Sequence, residues 1–209
     1  MANRLILASA SPRRRELLAL LGVPFEVATS GVDEDWTTGR DPVEFAVHLA
    51  REKALDVWRR DTSAGRRFVL GADTVVVIDI GGGPEPLNKP EGRDDAIRML
   101  RLLSGATHTV YTGLALVTSV SGDLGYEVTE AVVGTAVTFR ELTDEMIHAY
   151  VATGEPYDKA GGYGIQGHAS PFVERIEGDY FNVVGLPVHT VARMLEGEGI
   201  EWWKGRSAL

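Results

Sequence analysis

The chain has 209 residues, 44% of them hydrophobic and 24% charged, a balance that fits a globular protein of one generous domain or two small lobes around one core. A net charge of −9 argues against nucleic-acid binding, which needs a basic surface, and the absence of cysteine excludes a disulfide framework, thiolate metal ligands and a thiol nucleophile. No apolar run approaches membrane-spanning length and the early one is too short for a signal-peptide core, so the expectation is a cytoplasmic protein with no membrane partner.

Leu5-Ile6-Leu7-Ala8 reads as a buried strand that runs into Ser9-Ala10-Ser11-Pro12-Arg13-Arg14-Arg15-Glu16. Ser11 suits a helix N-cap and Pro12 the first helical position, while Leu17, Leu18 and Leu21 set the buried side and Gly22 suits the left-handed C-terminal cap. The first turn is unusual. A helix N-terminus is partially positive and recruits acidic residues, yet three arginines crowd this one, an arrangement that an anion such as a phosphate chain would stabilise. Hydroxyls of Ser9 and Ser11 and the arginine forks would converge on it. A solvated surface cluster of arginines is the equally weighted alternative.

Phe25-Glu26-Val27 alternates as a strand and is followed by the acidic stretch Asp33-Glu34-Asp35. Asp41-Pro42-Val43-Glu44 opens a helix expected to run to about Arg60 with Ala46, Leu49, Ala50, Ala54 and Val57 inward. Lys53 falls at the edge of that apolar stripe, where a snorkelling lysine is the plainer account. Phe68 to Ile78 is the most hydrophobic run and reads as a central strand interrupted by Asp73; burying a carboxylate is costly unless it borders a cleft or has a cation or donor beside it. A carboxylate capping a neighbouring turn is the alternative. Gly71-Ala72 just before it permits close approach of a ligand or another backbone.

Gly81 to Pro86 reads as a turn without the Lys-Ser/Thr of a P-loop. Asn88-Lys89-Pro90 precedes a helix expected over about Asp94 to Ser104, ended by Gly105. Thr107 to Thr118 and Tyr126 to Phe139 read as an antiparallel pair of long strands, and Thr143 caps a short helix to about Tyr150. The glycine-dense Tyr157 to Gly167 is a loop whose charged and amide side chains, Gln166 among them, suit a pocket lining. Phe172 to Ile176 alternates as a strand, a last helix carries Val191, Met194 and Leu195, and the stretch from about 200 to 209 reads as a tail.

Ser and Arg at a helix start, Lys53 and Lys89, and the carboxylates Glu34 and Asp73 are explained together by phosphoryl chemistry: cations to neutralise a polyphosphate, carboxylates to hold a divalent metal, and a base for water. The five histidines are scattered without zinc spacing, so Mg²⁺ or Mn²⁺ with oxygen ligands is the expected cofactor.

Ser9-Ala10-Ser11-Pro12-Arg13-Arg14, Arg51-Glu52-Lys53-Ala54, Leu70-Gly71-Ala72-Asp73-Thr74, Lys89-Pro90, Leu103-Ser104-Gly105 with His108, and Asp158-Lys159-Ala160-Gly161 with Gly164-Ile165-Gln166-Gly167 together resemble the Maf family of nucleoside triphosphate pyrophosphatases. The resemblance runs in order from about Leu5 to Pro187. It implies a mixed α/β fold of the inosine-triphosphatase-like kind in one Maf-like domain over 1–209, an elongated twisted mixed sheet flanked by helices in two lobes around a central cleft, and a homodimer. The implied reaction is hydrolysis between the α and β phosphates to a nucleoside monophosphate and pyrophosphate. By position, Asp73 resembles the proton acceptor, Ser9, Arg13, Arg14, Lys53 and Lys89 the phosphate-facing set, and Glu34 a carboxylate beside the metal, to which Asp73 would also contribute. Arg14, Thr74 and Gln166 resemble the specificity positions of the branch that takes dTTP and UTP; a glutamine amide offers both a donor and an acceptor to a uracil or thymine edge. The rival expectations are the same chemistry on a purine such as 7-methyl-GTP or ITP, and a nucleotide-binding regulator of cell division, tied to septum formation, with little turnover.

Overall fold

A computed structural model describes residues 4–33, 41–62, 65–120 and 125–204, which form a mixed α/β fold. Its strands are β1 (Arg4–Ala8), β2 (Phe25–Val27), β3 (Arg67–Asp79), β4 (Pro84–Leu87), β5 (Thr107–Ser119), β6 (Tyr126–Phe139) and β7 (Val173–Glu177). Its helices are α1 (Pro12–Ala19), α2 (Pro42–Arg60), α3 (Arg93–Leu103), α4 (Asp144–Ala152), α5 (Tyr180–Val184) and α6 (Val188–Gly197). The seven strands make one sheet in the order β2-β1-β3-β5-β6-β7, with β4 pairing β3 off that path. Two compact units divide the chain: Met1–Asp73, Thr112–Val133 and Gly185–Leu209 in the first, Thr74–Tyr111 and Gly134–Val184 in the second.

In the first unit β1 lies parallel to β2 and to β3, with Leu5 opposite Phe25 on one side and Phe68 on the other. A strand paired on both sides and covered on both faces must be apolar throughout, and Leu5, Ile6, Leu7 and Ala8 are all buried. Asp41 caps α2, its Oδ1 accepting from the amides of Val43 (2.8 Å) and Glu44 (3.1 Å), as its position before Pro42 and Glu44 predicts. The inward face of α2, with Ala50, Ala54, Val57 and Trp58, packs against Ile6, Ala8, Val69, Ala115 and Val117. Two glycines set how closely it lies. A β-carbon on Gly71 of β3 would collide with the Ala50 carbonyl oxygen, and one on Gly113 of β5 with the Ala46 carbonyl, so the α2 backbone rests almost directly on the sheet.

In the second unit β4 runs antiparallel to β3, Val76 opposite Leu87 and Asp79 opposite Pro84. The turn expected through Pro86 is therefore only Gly81 to Gly83; Pro84 and Pro86 lie in a strand whose single partner among the described residues is β3, where a missing N–H is tolerated. Helix α3 begins at Arg93 and ends at Leu103, one residue to the N-terminal side of the expected span at each end. The two long β-rich runs are neighbours in the sheet as expected, and β7 pairs antiparallel with β6. Phe172 itself closes a short 3-10 turn before β7 rather than opening the strand. Its ring joins an aromatic cluster in which Phe139, fully buried, meets His108, Tyr163 and Phe172 edge to face.

Candidate active site

The C-terminal end of β1 delivers the chain into the N-terminus of α1. Ser11 is extended and caps the helix, its hydroxyl accepting from the Arg14 amide at 3.4 Å. Ser9, only 7% exposed, turns its hydroxyl into the same turn, where it accepts from the Ser11 amide (3.2 Å) and from Arg14 Nη1 (3.5 Å). Arg14 is held at a second point: its Nε donates to the Gly185 carbonyl at 2.8 Å. Gly185 has φ of 121°, a conformation that side chains rarely adopt, and this aims the carbonyl at the guanidinium. The first turn holds no acidic residue, and of its three arginines Arg13 and Arg14 are half-buried while Arg15 is exposed. The arginines are thus not one solvated cluster, because Arg14 is anchored at the helix start where a phosphate is favoured.

The second group comes from α2 and β3. Lys53 is 4% exposed, and its Nζ lies 2.6 Å from Asp73 Oδ1, so the snorkelling expected from the sequence is replaced by a buried ion pair. The cause is Gly71. Residues 71 and 73 share one face of β3, and close seating of α2 over Gly71, between Ala50 and Ala54, brings the Lys53 side chain down on Asp73. A pair this buried repays its desolvation only with good geometry, and removing one partner is strongly destabilising. Asp73 accordingly does not serve as a turn cap.

The strand register relates the two groups. Ala8 pairs with Gly71 at the end of the parallel β1–β3 ladder, so Ser9 and the α1 N-terminus leave the sheet just where β3 reaches Ala72 and Asp73. In parallel α/β sheets the carboxyl ends of strands, beside helix N-termini, are where ligands bind.

Thr74, Lys89 and Gln166 belong to the second unit. Thr74 is half-buried in β3, and Lys89 is exposed between β4 and α3, beside a depression of about 320 Å³ lined also by Glu91, Asp95 and Arg98. Gln166 is exposed at the corner of a tight turn closed by the Gly167 amide on the Gly164 carbonyl (3.0 Å). The Gly161 amide donates to the Asn88 carbonyl at 3.1 Å, which ties the glycine-rich segment to the residue before Lys89. Glu34 lies outside the described residues.

No group of three His, Cys, Asp or Glu able to hold a metal occurs among the described residues. Mg²⁺, however, usually takes one or two carboxylates and completes its octahedron with water and substrate phosphates. Asp73 suits that share: its side chain keeps 13% exposure, and among the described residues only Oδ1 is engaged, by Lys53.

The sequence alone did not single out Gly185, Glu155 or Tyr150. A glycine between apolar residues, as in Val184-Gly185-Leu186, is the one signal that could have pointed to a special backbone at the first of these.

Among curated relatives, a protein named dTTP/UTP pyrophosphatase from Moorella thermoacetica is 52% identical over 201 residues, spanning 96% of this chain and 98% of that one. Proteins of the same name from Bacillus anthracis (46% identical over 199 residues, 95% of this chain and 97% of the relative) and Bacillus cereus (47% over 194 residues, 93% and 95%) are similar to it along nearly their whole length. The family model described as Maf-like protein matches residues 4–198. By that match and by these relatives, the chain belongs to the Maf family.

Proposed function

We infer that this protein is a nucleoside triphosphate pyrophosphatase that hydrolyses dTTP and UTP to the nucleoside monophosphate and pyrophosphate. The observation that carries the reading is the Lys53–Asp73 pair, set in register with the arginine-bearing start of α1. Asp73 orients a water and takes its proton as the water oxygen bonds to the α phosphorus. The bond from that phosphorus to the bridging oxygen breaks, and pyrophosphate leaves with the electron pair. Lys53 fixes the attacking side through its 2.6 Å contact with Asp73, and Ser9, Arg13 and Arg14 take the phosphate oxygens, stabilising charge that grows as the bond breaks. Lys89 adds a further phosphate contact. Mg²⁺ or Mn²⁺, held by Asp73 with Glu34 and substrate oxygens, would neutralise the triphosphate. Arg14, Thr74 and Gln166 read the base, the Gln166 amide presenting one donor and one acceptor to a uracil or thymine edge.

The reading includes a homodimer, supported by the family resemblance, and a cytoplasmic location. Among the described residues no helix is long and apolar enough to cross a membrane.

The test is product analysis of dTTP, UTP, CTP, GTP and 7-methyl-GTP with Mg²⁺ or Mn²⁺, using wild type and Asp73→Asn. Monophosphate and pyrophosphate from dTTP and UTP, lost in the variant, support the reading. A guanine preference moves the assignment to the purine alternative, and binding without products replaces the enzyme by a nucleotide-binding regulator.

A further inference from the structure

The turn that carries Gln166 has a glycine at each end, and both glycines face the same side chain. A β-carbon on Gly167 would run into the Glu155 carboxylate, and one on Gly164 would come within 3.0 Å of Glu155 Oε1 and 2.6 Å of Lys159 Cε. The carboxylate is a bonded floor as well as a steric one. Its Oε2 accepts from the His168 amide at 2.9 Å and its Oε1 from the Tyr150 hydroxyl at 3.2 Å. That same tyrosine oxygen accepts from the Gly164 amide at 3.3 Å. Tyr150 lies on α4, 3% exposed, its ring against Phe172 at 5.4 Å, so the network is rooted in the packed core of its unit. The stem of the segment is fixed too: Lys159 Nζ donates to the Glu155 carbonyl at 2.8 Å, and Tyr163, buried, hydrogen-bonds His108 at 2.7 Å. Ile165 points inward at 8% exposure, while Gln166 at the next corner is exposed.

We propose that Glu155, supported by Tyr150, is a positioning residue for base selection: it holds both ends of the Gly164–Gly167 turn and so fixes where the Gln166 amide stands. This rests on the reading of Gln166 as the base-contacting residue. An amide that must match one donor and one acceptor on a base edge gains selectivity only if it is held in place, because misplacement by about 1 Å can cost on the order of a hundredfold. A glutamine on a mobile glycine-rich turn would bind many bases weakly. The carboxylate is suited to the task because it offers two acceptors to two donors on different segments, and neither an aspartate nor a glutamine does this from the same position.

The experiment measures kcat and KM for dTTP and CTP in wild type, Glu155→Gln, Tyr150→Phe and Gln166→Ala, with thermal unfolding of each. Glu155→Gln is expected to lower the dTTP-to-CTP ratio of kcat/KM about tenfold, mostly through KM for dTTP, with kcat on CTP unchanged. Tyr150→Phe, which keeps the ring but removes the hydroxyl that donates to Glu155 and accepts from the Gly164 amide, moves the ratio the same way by less. In the double variant with Gln166→Ala the Glu155 effect disappears, since both act on one contact. A ratio left at the wild-type value in Glu155→Gln, or an equal fall for both substrates, overturns the proposal. If Glu155→Gln does not fold, an unchanged ratio in Tyr150→Phe overturns it. A ratio unchanged in Gln166→Ala while Glu155→Gln still shifts it would instead sink the Gln166 reading.

Discussion

Lys53 on α2 and Asp73 on β3 are joined at 2.6 Å because Gly71, two residues earlier on the same strand face, lets the helix backbone come down to the sheet. The ion pair that carries the proposed chemistry is therefore a product of packing. Asp73→Asn keeps an oxygen that accepts from Lys53 Nζ but leaves the buried ammonium without its counter-charge, so the variant should be less stable yet still folded at the assay temperature while the proton acceptor is lost. Turnover of dTTP should fall by at least about a thousandfold with the circular-dichroism spectrum unchanged. Lys53→Met keeps the stem and deletes the charge, and kcat/KM should fall about a hundredfold. Wild-type rates in either variant would remove that residue from the reaction.

Gly71→Ala tests the packing step by itself. The added methyl meets the Ala50 carbonyl, a backbone atom that cannot rotate away, so α2 must shift. Overpacking of this kind costs about 1–3 kcal/mol. The shift also lifts Lys53 from Asp73, so activity should fall further than the loss of folded protein explains. Urea unfolding together with kcat measured well below the transition separates the two effects, and a destabilised variant with normal kcat would break the link between Gly71 and the ion pair.

His108 gives a pH signature. It is 2% exposed, and burial lowers its imidazole from 6.5 to about 4. In the unfolded chain the ring takes its proton near 6.5, whereas the folded protein refuses it until about pH 4. Between these values the unfolded state binds more protons, so the stability tied to neutral His108 is complete above 6.5 and drains away as the pH falls towards 4. The loss amounts to about 3 kcal/mol at the low end. Removing His108 alone would strand the buried Tyr163 hydroxyl, so the informative variant is His108→Phe with Tyr163→Phe, which replaces both partners by apolar rings. Its stability should fall by about 2 kcal/mol less than that of wild type between pH 7 and 4.5 in urea titrations. Parallel losses in the two proteins would assign the acid sensitivity elsewhere.

These results show which parts of the molecule the sequence spelled out. Runs whose local signal and tertiary role agree were legible: the N-cap Ser11 before Pro12, Asp41 before α2, and the long β6 all occur where the residues put them. Chemistry-bearing residue types were legible too, since arginines at a helix start and an aspartate within an apolar strand are locally unfavourable and demand a reason. Geometry that depends on a distant residue was not. Lys53 looks like a surface lysine until Gly71 is seen to seat its helix. Pro84 and Pro86 look like a turn until β3 supplies a partner. Glu155 lies eleven positions before Gln166 in a stretch without periodicity, and only the folded turn brings its carboxylate beneath Gly164 and Gly167.

Arg14 supplies the last prediction. Its guanidinium is gripped by the Gly185 carbonyl at Nε (2.8 Å) and meets Ser9 Oγ at Nη1 (3.5 Å), so the plane of the guanidinium is fixed in orientation. Lysine keeps the charge but has a single rotatable ammonium, which cannot hold the Gly185 carbonyl and present a fork at once. Arg14→Lys should therefore raise KM for dTTP about tenfold or more, while kcat changes less, because on the proposed reading Arg14 contacts bound substrate as well as the transition state. Ser9→Ala removes only the weaker of the two anchors, and a smaller rise in KM is expected. The comparison is made by steady-state kinetics on both variants at one ionic strength, since added salt would screen the phosphate contacts and compress the difference. If Arg14→Lys matched wild type in KM, charge alone would account for the role of this residue, and the anchor at Gly185 would have no part in nucleotide binding.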